Sequence, residues 1–299
     1  PLAGRLEMPL PVALGLLCAK VGHSRVPAGY YKSWRHRIGD LSSWRVNIAL
    51  LYGALAVALV LGLIFTRSRT GVALTMMVIL LAAVAFARRL GGNNIFGLVG
   101  TVTAVAVALA VEIGLAPVLH RFSALDPLAD ARWPIYAQTL QTMGAYFPLG
   151  SGPGTFSEVF AHFQPLGINA LVNHAHNDYL EWLTEAGVLA ALLMVVWLGL
   201  YVRQWPRVWI RGDWTTFRFI QVGAGLGVFA LLLHGLTDFN LHIPANAVYF
   251  AFWAAVFMHR PLARRRGRGV AEAQRRMPEP PAARPEAEGV PAAPIRNPF

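Results

Sequence analysis

The chain has 299 residues, of which 56% are hydrophobic and 14% carry a charge. Soluble domains carry about 25% charged residues, so this composition excludes an ordinary soluble domain and indicates a membrane protein. The formal charge of +11 does not indicate nucleic-acid binding, because its arginines cluster beside apolar stretches, where basic residues set membrane topology. A single cysteine, Cys18, excludes a disulfide framework within the chain.

Apolar stretches of about 20 residues, the length that spans a bilayer as a helix, recur along the chain. The first, 2–19, is unusual because Arg5, Glu7 and two prolines interrupt its first half. It does not resemble a cleaved signal peptide, and Pro1 stands where a start methionine would, so we expect further membrane helices upstream. The remaining stretches are 46–65, 71–87, 95–117, 179–202, 217–237 and the shorter 243–258. They predict an all-α polytopic membrane protein with six or seven membrane helices.

The segments that connect these apolar stretches are alternately rich and poor in basic residues. Four segments are rich in them: 20–45, 88–89, 203–218 and 259–299. Because basic loops remain in the cytoplasm, we predict that all four are cytoplasmic. The segments between them are then on the outer side: 66–70, 118–178 and 238–244. The last basic segment, 259–299, is a tail rich in proline, alanine and arginine and is predicted to be disordered.

The outer segment 118–178 is much longer than a connection requires, and such loops carry function or disorder. Its sequence indicates order, because Arg132 and Trp133 open a stretch with the apolar spacing of a helix. The following FPLGSGPGTF has the prolines and glycines of tight turns. This glycine-rich stretch has two interpretations. Its backbone N–H groups could contact a phosphate, or it could be a plain turn. The second is favoured, because the Gly-Lys-Ser/Thr of a nucleotide-binding loop does not follow it.

Two histidines, His174 and His176, stand in the sequence HAHND just before the next membrane helix. Asp178 is the predicted N-cap of that helix, with Glu181 close to a capping-box position. The histidines then lie just outside the membrane, at a helix end that favours anions. Glu185 follows on the same helix face. A carboxylate there is costly in a membrane unless it is paired or functional, so Glu185 is a candidate catalytic residue.

Two further polar clusters are predicted at the same outer level. FTRSRTG places Arg67 and Arg69 in a short outer turn, against the positive-inside tendency. LLLHGLTDFNLHIPANA places His234 in a membrane helix, with Asp238, Asn240 and His242 in the outer turn after it. Arginines and histidines gathered at one membrane face predict an anionic ligand such as a diphosphate.

Five stretches of the chain resemble one known family: LAGRLEMPLPVALGLL, TRSRTG, RWPIYAQTLQTMGAYFPLGSGPGTF, HAHNDYLEWLTEAG and HGLTDFNLHIPANA. They are similar to motifs of the O-antigen ligase-related family, polytopic membrane enzymes that transfer lipid-linked glycans in the bacterial periplasm. Together they cover most of residues 1–258. The resemblance implies a GT-C-like architecture with one large periplasmic loop at 118–178, here without the N-terminal helices of the family.

The resemblance implies metal-independent, inverting transfer of a glycan from an undecaprenyl-diphosphate-linked donor to an acceptor hydroxyl, without a cofactor. It places the active face on the periplasmic side of the bacterial inner membrane. His176 matches the His-Asn pair of the family and is the expected general base, and His174 either orients it or replaces it. The expected substrate-binding residues are Arg67, Arg69, Arg132, Asn177, Asn240 and His242. The lipid bilayer is a further partner, and the acceptor is a lipid A core, a glycan or a protein.

The chemistry of these side chains agrees with that reaction. A sugar hydroxyl is a poor nucleophile, and the imidazole of histidine titrates near neutral pH without any perturbation. A leaving diphosphate already carries its charge and requires planar, two-pronged cationic donors, which arginine provides.

Two other functions are open at this point. His-x-His-x-Asp also resembles the ligand motif of zinc hydrolases, in which His174, His176, His234 and His242 would bind the metal. Tyr179, however, stands where those hydrolases have a further histidine. The second alternative is a transporter without chemistry. A transport path requires ionisable groups near mid-membrane in several helices, whereas here they gather at one face.

Overall fold

The computed structural model describes residues 2–22, 44–90, 94–114, 132–164, 171–210 and 214–260. Within these ranges the chain forms helices joined by turns, and no strand. The helices are α1 (Leu2–Glu7), α2 (Leu10–Gly22), α3 (Trp44–Phe65), α4 (Arg69–Leu90), α5 (Asn94–Gly114), α6 (Arg132–Tyr146), α7 (Phe156–Phe163), α8 (Asp178–Ile210), α9 (Thr216–His234) and α10 (Pro244–Met258). The predicted all-α fold is confirmed.

Five helical segments of the described chain are long and apolar enough to cross a membrane. They are Leu2–Val21, Asn47–Phe65, Arg69–Arg88, Asp178–Ile210 and Thr216–His234. Gly97–Glu112 and Pro244–Met258 are apolar but shorter. These seven segments overlap the seven predicted stretches. Asp178–Ile210 extends eight residues past the predicted end at 202, into the segment 203–218 that was predicted to be a cytoplasmic connection. The end of the stretch 95–117 lies outside the described residues. The chain is a multi-pass membrane protein.

Helices α2 and α9 pack closely at the centre of the bundle, because small residues line their contact. A Cβ atom at Gly223 would lie 2.7 Å from the carbonyl oxygen of Pro11, and one at Gly227 would overlap the carbonyl of Met8. Glycine removes this obstacle and lets two helix backbones approach, as is common in membrane interfaces. Consequently α9 is largely buried, with most of its side chains among the other helices.

We expect Gly227→Ala to destabilise the bundle, because the added methyl group meets the backbone of Met8 rather than a movable side chain. Overpacking of this kind costs about 1–3 kcal/mol. A lower melting temperature of the purified protein in detergent measures the effect. Gly53→Ala in α3 is the matched control, since no atom lies within 4 Å of the new Cβ. Equal melting temperatures for the two variants would contradict this packing.

Helix α8 is interrupted at Gly187, whose backbone angles (φ 51°, ψ −132°) are not helical. The break separates a short N-terminal segment from a long segment that begins at Val188. Along the long segment many apolar side chains are exposed, including Leu189, Leu192 and Val195. In a multi-pass membrane protein, such a face is suited to contact lipid.

The glycine-rich turn of residues 147–155 lies against the break in α8 and satisfies its backbone. Two carbonyls freed by the break accept new bonds, Thr184 O from the Ser151 N–H and Glu185 O from the Gly152 N–H, each at 2.9 Å. In return, the N–H of Val188 donates to Pro148 O at 2.9 Å. An unpaired backbone group costs several kcal/mol in a bilayer, so the turn makes the break tolerable. These N–H groups bond to protein, as the plain-turn interpretation predicted.

Two of the four segments predicted to be cytoplasmic, 20–45 and 259–299, lie mostly outside the described residues. Residues 1–259 form one compact unit, and the predicted disordered tail is described only at His259 and Arg260. The assignment of sides to the membrane therefore stays a prediction.

Candidate functional site

Three polar turns that are far apart in the sequence meet at one end of the bundle. The HAHND segment joins the turn after α9, because Asp178 N donates to Gly235 O (2.8 Å) and Asn177 Nδ2 donates to Leu236 O (3.0 Å). That turn also contacts the start of α4, where Thr237 Oγ1 donates to Thr70 Oγ1 at 3.1 Å. The three clusters predicted at one level are thus brought together.

The predicted N-cap of α8 is wrong by one residue. The side-chain oxygen of Asn177, not Asp178, accepts the backbone N–H groups of Tyr179 (3.0 Å) and Leu180 (3.1 Å). Asparagine is as good a cap as aspartate, so composition alone does not distinguish them. The capping box is also wrong, because Glu181 accepts from the N–H of Ala175 at 2.8 Å. Because neither side chain caps the helix, the carboxylates of Asp178 and Glu181 can bond to histidines.

One set of side chains alternates histidines with carboxylates. His174 Nδ1 lies 2.7 Å from Glu181 Oε1, and His242 Nε2 lies 3.5 Å from the same oxygen. The other ring nitrogen of His242 lies 2.8 Å from Asp178 Oδ1, and Asp178 also accepts the N–H of Leu241 (3.0 Å). Both carboxylates are buried. This set fixes the ring orientations of His174 and His242.

His176 belongs to a different set, although only one residue separates it from His174. Its Nδ1 lies 3.9 Å from Asp238 Oδ1 and is buried without a hydrogen bond. The side chain is nevertheless 37% exposed, so the exposed part of the ring does not include Nδ1. His176 also has a positive φ of 53°, an uncommon conformation for a residue other than glycine. Such strain is typical of functional sites.

Phe239 separates the two histidine rings of HAHND. It stacks on His174, with ring centroids 4.2 Å apart and planes 11° apart, and meets His176 edge-on at 5.2 Å. Sequence analysis missed this residue, because a phenylalanine in an apolar stretch carries no sign of such a role. Its ring keeps the two imidazoles apart.

The carboxylate beside His176 is held in its charged form. Burial alone would raise the pKa of Asp238, but its contacts with His176, the N–H of Phe239 and His234 outweigh burial, and the pKa lies well below the usual range. Asp238 is therefore a permanent negative charge beside His176 at neutral pH.

Burial lowers the pKa of His242, but the carboxylates of Asp178, Glu181 and Glu185 outweigh burial and raise it. The ion pair with Asp178 then stabilises the fold fully below the pKa of an unfolded histidine, about 6.5. This stabilisation is lost as the pH rises through the higher folded-state pKa. We expect the melting temperature of the protein to exceed that of His242→Gln by a margin that shrinks as the pH is raised above neutral.

The exposed His162 provides the control for this measurement, since its ring bonds to a backbone carbonyl oxygen, Glu158 O, at 2.9 Å rather than to a carboxylate. His162→Gln should follow the parent protein at every pH. A margin for His242→Gln that is constant or grows with pH would contradict the expectation.

Helix α6 borders the site and supplies a residue that sequence analysis missed. Tyr136 donates its hydroxyl to His176 O at 2.8 Å and also lies 3.3 Å from Leu236 O. Arg132, the first residue of α6, is half-buried and lies one helical turn before Tyr136, on the same helix face. The predicted substrate-binding arginine is therefore on the face of α6 that is turned to the histidines.

The other predicted substrate-binding residues differ in their surroundings. Arg67 is exposed in the turn between α3 and α4 with a positive φ of 56°, and Arg69 is the half-buried first residue of α4. Asn240 is fully buried, and its oxygen accepts from Asn246 Nδ2 at 3.2 Å. Asn177 is occupied as the N-cap. The arginines are thus nearer the surface than the asparagines.

The third candidate catalytic residue, Glu185, lies just before the break in α8 and is buried. Its carboxylate accepts the backbone N–H of Phe156 at 3.2 Å. It therefore joins α8 to the first turn of α7.

The four histidines of the zinc alternative do not share one point in space. His234 bonds to the carboxylate of Glu7 at 2.9 Å, while His174 and His242 bond to Glu181 and Asp178. In the part of the chain that the structure describes, no three His, Cys, Asp or Glu side chains are grouped as a metal site.

Comparison with known families matches residues 54–195 to the family model described as O-antigen ligase. The matched region runs from α3 into α8 and includes TRSRTG, the α6–α7 region and HAHND, but not the turn after α9. Comparisons with curated proteins and with solved structures found no match. The match covers slightly less than half of the chain and supports the resemblance to the O-antigen ligase-related family that its motifs predicted.

Proposed function

We propose that the chain is a membrane glycosyltransferase that moves a glycan from an undecaprenyl-diphosphate-linked donor to an acceptor hydroxyl. The reaction takes place on the periplasmic face of the bacterial inner membrane. The family match supports the coarser part of this proposal, a role in glycan transfer during O-antigen or polysaccharide synthesis. The observation that carries the finer part is the meeting of HAHND, the turn after α9 and the start of α4 at one end of the bundle.

His176 is the general base in this proposal. Its Nε2 takes the proton of the acceptor hydroxyl while the acceptor oxygen forms a bond to the anomeric carbon of the donor sugar. The bond between that carbon and the diphosphate oxygen breaks with inversion, and the lipid diphosphate leaves with both bonding electrons. Asp238, 3.9 Å from Nδ1, favours the Nδ1–H tautomer, which leaves the lone pair on Nε2. No protonation of the leaving group is required.

The arginines bind the diphosphate in this proposal. Arg132 on α6 and Arg69 at the start of α4 come from different elements that border the site, and Arg67 is exposed beside them in sequence. A planar guanidinium grips two phosphate oxygens at once. Asn177, Asn240 and His242 then act from behind the site, because their side chains are engaged with α8, α10 and Asp178. Glu185 supports the turn at α7, and His174 orients the acceptor sugar beside His176.

Arg132→Lys tests the diphosphate site in the full-length enzyme reconstituted with lipid-diphosphate-linked glycan and acceptor. The ammonium keeps the charge but loses the planar fork, so we expect a fall in kcat/KM of about 10-fold or more. Arg203→Lys, an exposed position in α8 away from the described site, should be silent.

Full activity of Arg132→Lys would remove this residue from the diphosphate site and leave Arg67 and Arg69. Release of free glycan without an acceptor would favour a hydrolase, and movement of the intact lipid-linked donor across the bilayer without transfer would favour a transporter. Transfer to the acceptor, with release of the lipid diphosphate, is the expected product pattern.

A further inference from the structure

The first membrane segment is interrupted beside a buried carboxylate. Helix α1 ends at Glu7 and α2 begins at Leu10, with Met8 and Pro9 in a turn between them. The side chain of Glu7 is 1% exposed. An ionisable group inside an apolar span is costly and is retained mainly where it has a partner and a function, and interrupted membrane helices are frequent at binding sites.

The partner of Glu7 is His234, at the end of α9. Its Nδ1 lies 2.9 Å from Glu7 Oε1 and 3.1 Å from Oε2, and the histidine side chain is 2% exposed. The first turn of α4 packs on the same carboxylate, because a Cβ atom at Gly71 would lie 3.1 Å from Glu7 Oε1. Three helices, α1, α4 and α9, therefore enclose the pair.

Asp238 lies between the Glu7–His234 pair and the proposed base His176. The second ring nitrogen of His234, Nε2, lies 3.8 Å from Asp238 Oδ2, and the other oxygen of that carboxylate lies 3.9 Å from His176 Nδ1. The N–H of Phe239 donates to Asp238 Oδ1 at 3.0 Å. The order in space is thus Glu7, His234, Asp238, His176, from the membrane interior to the exposed ring.

We propose that Glu7 and His234 are positioning residues for the glycan-transfer reaction, which hold Asp238 against the base His176. Glu7 accepts the hydrogen bond of His234 Nδ1 and thereby fixes the ring with Nε2 towards Asp238. Asp238, fixed in turn, orients the His176 ring, keeps its Nδ1 protonated, and stabilises the imidazolium that forms when Nε2 takes the acceptor proton. This inference rests on the proposed function, since it assigns a role relative to His176.

The test uses the reconstituted full-length enzyme with Glu7→Gln and His234→Gln. A residue that orients a reacting group typically contributes 10- to 100-fold, so we expect each variant to lower kcat by about that factor with the KM of donor and acceptor little changed. Glu7→Asp keeps the charge and should recover part of the loss. Glu112→Gln, which removes an exposed carboxylate of α5, is the matched control and should keep full activity.

A second arm separates positioning from a purely structural role. In the His176→Ala background, Glu7→Gln should lower the remaining rate no further, because residues that act as one unit are not additive. The proposal would be overturned if the double variant lost activity by the product of the two single-variant factors, or if Glu7→Gln raised KM instead of lowering kcat. Full activity of a folded Glu7→Gln would also overturn it. If Glu7→Gln does not fold, the same comparison with His234→Gln decides. Full activity of His176→Ala itself would instead overturn the proposed function.

Discussion

Replacing His176 with alanine should lower the glycan-transfer rate by about 10²- to 10⁴-fold, the usual contribution of a general base. The imidazole is the proton acceptor in the proposed reaction, and its accessible edge is the side away from Nδ1. The variant should still insert into membranes and bind the lipid-linked donor, because a base does not hold the substrate. Initial rates and donor binding in proteoliposomes measure the two quantities separately.

Two comparisons make this result specific. His162→Ala removes an exposed histidine of α7 and should retain full activity, while His174→Ala should reduce activity less than His176→Ala. A larger loss for His174→Ala would transfer the role of base to the histidine that is bonded to Glu181 at 2.7 Å. A chelator should leave the parent enzyme active. Activity lost to a chelator and restored by zinc would revive the hydrolase alternative.

Replacing Gly187 with alanine should disrupt the N-terminal end of α8 and lower the activity of the purified protein strongly. The residue has φ 51°, and a Cβ atom there would overlap the carbonyl of Pro148. A positive φ with ψ near −132° costs a non-glycine residue about 1–3 kcal/mol, and the overlap requires the turn to move as well. Because that turn supplies the bonds to Thr184, Glu185 and Val188, its displacement leaves backbone groups unpaired.

Gly199→Ala is the control within the same helix, because no atom lies within 4 Å of its Cβ position. It should melt at the same temperature as the parent protein or slightly higher, as alanine favours a helix over glycine by about 1 kcal/mol. Limited proteolysis between α6 and α7 should be faster in Gly187→Ala only. Equal protection in both variants would show that the turn does not depend on the glycine.

The membrane helices could be predicted from the sequence because apolar runs of this length have few alternatives. The grouping of HAHND with the turn after α9 was also predictable in outline, since both segments were expected at the outer ends of neighbouring helices. Family motifs added His176 to this picture, and its role stays a prediction. The match to residues 54–195 supports the family resemblance.

The pairings inside the site were not predictable, because they depend on residues distant in sequence. Glu7 and His234 are 227 positions apart, and neither apolar periodicity nor helix propensity carries information about their contact. Glu7 did stand out as a lone carboxylate in an apolar stretch, which was the available signal. The break at Gly187 was hidden because a glycine inside a helical pattern is usually tolerated, and only the approach of Pro148 requires its conformation.

The break in α8 also defines a length. From Val188 to Val202, the last residue before the predicted cytoplasmic segment 203–218, the helix has a rise of about 22 Å at 1.5 Å per residue, which is less than a hydrocarbon layer of about 30 Å. We therefore expect the break at Gly187 and the carboxylate of Glu185 to lie within the hydrocarbon layer, and Asp178 and Glu181 to lie near its boundary on the side of the site. In the proposed reaction the diphosphate of the lipid-linked donor lies near that boundary, so the glycan need not be pulled out of the membrane plane to meet the histidines.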